Sequence, residues 1–73
     1  MIIEGSSNIA EVDYNESNHS LRVKFHSGGE YIYEAVPRKI YDNLLLAESK
    51  GSYFYKNIRN KYQAHRVNIK LKG

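Results

Sequence analysis

Three short stretches of the chain alternate apolar and polar side chains with a period of two, the spacing of strands that bury one face. In IAEVDY, Val12 and Tyr14 share a face while Glu11 and Asp13 take the other. In LRVKF, Leu21, Val23 and Phe25 oppose Arg22, Lys24 and the following His26, and EYIYEAV makes the third stretch. The turn-forming run NESNHS joins the first two and SGG joins the second to the third, so the pattern predicts a three-stranded antiparallel meander.

Two registers are open to the second hairpin, and a slip of one residue turns every side chain over. A Gly28-Gly29 loop pairs His26 with Tyr31 and Lys24 with Tyr33, which sets both tyrosines among basic groups. A three-residue loop, Ser27-Gly28-Gly29 with Gly29 left-handed, instead pairs Phe25 with Tyr31, Val23 with Tyr33 and Leu21 with Ala35. That register also opposes Arg22 to Glu34 and His26 to Glu30, each favourable pair contributing roughly 0.2 to 1 kcal/mol. It is the expected one, and it turns Tyr31 and Tyr33 toward the helices, where they pack, and away from an open face where rings stack on bases.

Past the strands the period lengthens. Pro37 is expected to open a helix, and Ile40, Leu44 and Ala47, joined by Tyr41 and Leu45, form an apolar stripe at helical spacing. Gly51 is the expected left-handed stop and Ser52 the expected N-cap of a second helix. In SYFYKNIRNKY, Phe54, Ile58 and Tyr62 recur every four residues toward the core, Lys56, Asn57, Asn60 and Lys61 face water, and Tyr55 and Arg59 sit at the boundary. The tail alternates again, Val67, Ile69 and Leu71 against Arg66, Asn68, Lys70 and Lys72. It reads as a strand added to the edge of the meander; pairing with another copy, or ordering on a partner, are the alternatives, and Met1 to Glu4 compete for an edge. The expected fold is α+β, a β-β-β-α-α(-β) chain: an antiparallel meander of three strands, four with the tail, covered on one face by two helices.

At 73 residues the chain makes one domain, residues 1–73, with a core in 7–62 and a basic tail in 63–73. A domain of this size buries only about 60% of the surface its unfolded chain exposes, so the core is thin. Seven of the nine aromatics are tyrosine, whose apolar body and polar tip suit the margin of such a core or an interface. With no cysteine there is no disulfide, zinc ribbon or thiol nucleophile, and His19, His26 and His65 are too scattered for a local metal motif. No cofactor or metal is expected. MIIEGSSN lacks a signal-peptide core and no run approaches the ~20 apolar residues of a membrane span, so the expectation is a cytoplasmic protein with no membrane partner.

Charge is divided unevenly. Residues 1–36 hold two basic and six acidic side chains, whereas residues 37–73 hold nine basic and two acidic ones. A basic half of this kind fits a nucleic-acid or other anionic partner, or simply a solvated lysine-rich surface. Within it, AESKGSYFYKNIR joins two helices through a corner of small residues. Exposed amides at a helix start attract anions, with Lys50 and Ser52 nearby, and Arg59 has the fork geometry for a phosphate. The competing structural reading has Ser49 and Gly51 cap and stop a helix while Arg59 packs over a tyrosine.

Catalysis has little support. Ser49, His65 and Asp42 supply the members of a triad on paper, but no GxSxG frames a serine, and there is no P-loop, dinucleotide fingerprint or HExxH. The chain is expected not to be an enzyme.

Order and spacing carry a resemblance. Ser7 and Ile9, Tyr14, then Leu21, Val23 and Phe25 before a glycine turn, the central Tyr31-Ile32-Tyr33, Val36-Pro37 and Tyr41 come first. Ala47, Ser49, Gly51, Tyr53-Phe54, Ile58-Arg59 and Tyr62 follow. From Ser7 to Tyr62 the chain resembles the KTSC domain, a short module of bacterial and phage-type proteins that is also appended to some lysyl-tRNA synthetases. That resemblance implies RNA or nucleic-acid binding, and it implies structural roles for Tyr31, Tyr33, Pro37, Ser49, Gly51, Phe54 and Tyr62. The function expected is a small non-catalytic nucleic-acid-binding module, for RNA or single strands more than duplex. Lys50, Ser52, Lys56, Arg59, Lys61 and Arg66 are the expected phosphate contacts and Tyr53 or Tyr55 the stacking ring. The alternative is a protein-interaction module, such as a phage or mobile-element inhibitor, using the open sheet face or the tail.

Overall fold

The computed structural model describes residues 2, 3, 5 and 8–67. Along them run β1 (Ile9–Asn15), β2 (Ser20–Phe25), β3 (Glu30–Tyr33), α1 (Arg38–Leu46), α2 (Lys50–Asn57) and β4 (Ala64–Arg66). Neighbouring strands are antiparallel and the sheet follows chain order, β1-β2-β3-β4. This is the expected α+β architecture, with the tail supplying the fourth strand. Ile2 bridges Glu11 and the Ile3 amide donates to the Ala10 carbonyl at 2.9 Å, so these residues line β1 while β4 holds the opposite edge, and the two do not compete. The rest of the expected tail alternation, Asn68 to Lys72, lies outside the described residues, as does Ser7.

One face of the sheet is core. Val12, Leu21, Val23 and Tyr33 meet Leu44 of α1 and Phe54 of α2 together with Ile58, and none of the seven is more than 4% exposed. Ile9 joins them through a register shift between Ile9 and Glu11, a bulge that lets residues three apart reach one face. The other face is braced by charge. Arg22 reaches Asp13 at 2.8 Å and the buried carboxylate of Glu30 at 3.0 Å, tying β1, β2 and β3 together. A buried carboxylate without such a partner would be strongly destabilising.

The second hairpin departs from the expected pairing but keeps its faces. Val23 opposes Tyr31, Leu21 opposes Tyr33 and Lys24 opposes Glu30. The loop is three residues long, His26-Ser27-Gly28, closed by the Phe25 amide on the Gly29 carbonyl at 2.8 Å and the Gly28 amide on the Phe25 carbonyl at 2.9 Å. Gly28, with φ 104°, takes the left-handed position in place of Gly29. Moving the loop by one residue shifts pairing by two, which leaves each side chain on its own face, so hydrophobic alternation alone cannot distinguish the two registers. The expected ion pairs change accordingly: Glu30 goes to Arg22, and Glu34 lies 3.2 Å from Nδ1 of His65 on β4. Ala35 does not pair with Leu21, because its φ of 55° turns the chain out of the strand.

The helix ends are corrected as well. Pro37 is extended (φ −62°, ψ 145°) and stands as the N-cap residue, so α1 begins at Arg38. Gly51 stops nothing; it is the second residue of α2. The N-cap is Ser49, not Ser52: Ser49 Oγ accepts the Ser52 amide at 3.3 Å, the bond a cap makes to the first turn. Expected to run on to Tyr62, α2 ends at Asn57, whose side-chain amide donates to the Tyr53 carbonyl at 3.1 Å and competes with the backbone ladder. Tyr62 still packs half-buried against the core.

Candidate nucleic-acid interface

The corner before α2 is tied to itself. Besides the Ser49 cap, the half-buried Lys50 donates its Nζ to the Ala47 carbonyl at 3.1 Å. The expected anion site at this helix start is therefore partly occupied by the chain's own groups. From there α2 crosses the sheet with Phe54 pointing down, its ring edge-on to Phe25 and to Tyr33, each with centroids 5.5 Å apart. Tyr31 stands edge-on to Phe25 at 6.0 Å and tilted against Tyr33 at 6.5 Å. These separations are those of favourable aromatic pairs.

The next residue along the helix points the other way. Tyr55 is 60% exposed, and the Arg59 guanidinium lies over its ring at 4.8 Å from the centroid. The helix exit puts it there, since the Ile58 and Arg59 amides both donate to the Phe54 carbonyl at 2.9 Å and bring Arg59 back above the last turn. Together these groups bound an open groove of about 530 Å³. Phe25, Tyr31 and Tyr33 line it from the strands, and Gly51, Phe54, Tyr55, Arg59 and Asn60 from α2 and its exit. His26 and Ser27 of the β2–β3 loop and Asn8 complete its polar margin.

Among the described residues no carboxylate lines this groove, so its ionisable lining beyond the phenols is Arg59 and His26. Burial holds the Tyr33 phenol above its ordinary range, and the positive charge of Arg59 pulls in the opposite direction. Tyr33 is thus a neutral, packed hydroxyl in the groove, while the half-buried Tyr31 offers more of its ring.

The groove brings together part of the expected site. Tyr55 and Arg59 meet there, with Gly51, Phe54, Tyr31 and Tyr33, which had been assigned to structure. Lys56, Lys61 and Ser52 are exposed outside its lining, and Tyr53 is half-buried against the core. Arg66 is exposed on β4 opposite Tyr31, a partner position that shares its face. Pro37 starts α1, apart from the groove lining. Phe25, His26, Ser27, Asn8 and Asn60 were missed, because they lie on segments far apart in sequence; the glycine turn beside His26 was the only local sign of them.

The paper triad does not assemble around a common centre. Ser49 accepts the Ser52 amide, Asp42 takes Arg38 Nε at 3.0 Å and His65 faces Glu34. Among the described residues no group of three metal-binding side chains is present, and no helix is long and apolar enough to cross a membrane.

A family model for the KTSC domain matches residues 5–62. The chain belongs to the KTSC domain family. Its KTSC domain is 40% identical over 60 residues to a lysine–tRNA ligase of Trichormus variabilis, covering 82% of this chain and 10% of the ligase. The chain therefore spans a tenth of that relative's length. A protein of Tsukamurella paurometabola is 32% identical over 59 residues, covering 81% of this chain and 88% of the relative. Among solved structures, a KTSC domain protein from Yersinia pestis superposes with a TM-score of 0.89 at 29% identity, over 93% of this chain and 94% of its own.

Proposed function

We propose that this KTSC domain is a non-catalytic binding module for single-stranded nucleic acid, RNA in preference to DNA. One observation carries the reading: Tyr55, an exposed ring capped by the guanidinium of Arg59, stands at an aromatic groove whose described lining has no carboxylate. Exposed rings stack unpaired bases without regard to sequence, and a guanidinium fork grips phosphate. Exposed Lys56, Lys61 and Arg66 supply further charge for the backbone on either side. The kinship with a lysine–tRNA ligase supports RNA, because that enzyme's name places it on tRNA.

Fluorescence anisotropy with labelled single-stranded RNA, the matching DNA and a duplex tests it. Single strands bind more tightly than duplex, and log K falls against log salt with a slope near −0.7 for each phosphate contacted. Absence of binding to every probe at low salt overturns the reading. Binding to a protein partner with little salt dependence would instead favour the interaction-module class.

A further inference from the structure

We infer that the groove is a one-nucleotide pocket, which receives a single unpaired base against Tyr31 and Tyr55 while Arg59 holds the adjoining phosphate. The inference rests on the nucleic-acid reading and sharpens it, by separating one specific nucleotide site from the general basic flank.

Size comes first. At about 530 Å³ the groove falls among pockets for single small ligands, roughly 300 to 1,000 Å³, and is bounded by the β2–β3 loop on one side and the exit of α2 on the other. A strand running along the surface could place only a short piece of itself there. Chemistry narrows the occupant. Tyr33 and Phe54 are each 4% exposed and contribute little more than edges, whereas Tyr31 and Tyr55 keep accessible ring surface for a flat apolar partner. Arg59, the one formal cation in the described lining, favours an anion beside that flat partner. A nucleotide joins a planar ring to an anion, and Ser27 and Asn60 at the margin offer hydrogen bonds to a base edge. A duplex base is unavailable to such a pocket, because its faces are already stacked; an end or a splayed loop base is free to enter.

Gly51 provides the test variant, because it lines the groove with backbone alone inside a helix. Gly51→Leu adds a side chain at a groove-lining position and raises helix propensity. Adenosine 5′-monophosphate and uridine 5′-monophosphate are titrated into the labelled protein beside ribose 5-phosphate and inorganic phosphate, with amide and tyrosine ring shifts as the readout. Both nucleotides should move Ser27, Tyr31, Tyr55 and Arg59, and bind about tenfold or more tighter than the two baseless phosphates, as a stacked base requires. Gly51→Leu, with an otherwise native spectrum, should abolish those shifts, and Tyr55→Leu should weaken them should Gly51→Leu fail to fold. Equal binding of nucleotide and ribose 5-phosphate overturns the pocket in favour of a plain anion site. Single-stranded RNA that binds through Lys56, Lys61 and Arg66 while both mononucleotides leave the groove unmoved overturns the pocket and leaves the nucleic-acid reading standing. Silence from RNA and mononucleotides alike removes both.

Discussion

Arg59→Ala separates a binding role from a structural one. In the folded domain the side chain makes a cation–π contact with Tyr55 at 4.8 Å, on a ring that is 60% exposed. Such a contact at an exposed site contributes about 0.5 to 1 kcal/mol. The backbone bond from the Arg59 amide to the Phe54 carbonyl survives truncation to alanine, so the exit of α2 keeps its shape. The expected loss of stability is thus no more than about 1 kcal/mol, which for a domain of this size lowers Tm by about 4–8 °C. Binding should suffer more. Losing one phosphate contact reduces the salt slope for single strands by about 0.7, and affinity for RNA at low salt falls by about tenfold. Removing the guanidinium also leaves burial unopposed at Tyr33, whose phenol should titrate at a still higher pH than in the parent protein. Thermal melts followed by circular dichroism, anisotropy at two salt concentrations and tyrosinate absorbance read the three effects. A variant that loses more than about 2 kcal/mol of stability would make Arg59 a structural residue, since exposed cation–π contacts do not reach that value. A variant with unchanged affinity and salt slope would remove Arg59 from the interface.

Three further outcomes follow from local geometry. Ser49→Ala removes the cap of α2 and should cost about 0.5 to 2 kcal/mol in urea unfolding, whereas Ser52→Ala, which takes away no cap, should cost less; the reverse order would contradict the assigned helix start. Ala35 holds a φ of 55°, a left-handed conformation that costs a non-glycine residue about 1 to 2 kcal/mol, so Ala35→Gly should leave Tm unchanged or raise it, and a clear fall would contradict the turn. Burial raises the Tyr33 and Tyr41 phenols above their unfolded value, so their contribution is complete below pH ~10 and disappears as pH climbs through the folded values. Urea midpoints should therefore drop as pH rises above about 10, and a Tyr33→Phe, Tyr41→Phe double variant should flatten that drop.

The elements were legible in the chain because each has its own period: two in the strands around Val12, Leu21 and Tyr33, and near four in Ile40-Leu44 and Phe54-Ile58. The parity of the second hairpin could be read for the same reason. Its pairing could not, because Gly28 and Gly29 are both able to take the left-handed position and the two resulting registers bury the same side chains. Caps were misread where chemistry is duplicated. Ser49 and Ser52 are both good N-caps, and a glycine that ends helices in other settings sits inside α2 at Gly51. The bulge at Ile9 inserts one residue into an alternating run, a shift that period counting reads as a broken pattern. As for the site, Tyr55 and Arg59 were visible as an aromatic and a cation at helical spacing. The groove was not, because it exists only where the β2–β3 loop, β3 and α2 meet in space, and no local pattern links His26 to Asn60.

Amide shifts of the labelled domain during addition of a short single-stranded RNA, at low salt and again at higher salt, bear most directly on the proposed function. Tyr31, Tyr55, Lys56 and Arg59 should move at low salt, the Asp13–Arg22–Glu30 face should stay still, and the movements should shrink as salt rises. Stillness from residue 50 through residue 66 at low salt, or movement confined to the Arg22 face, would contradict it.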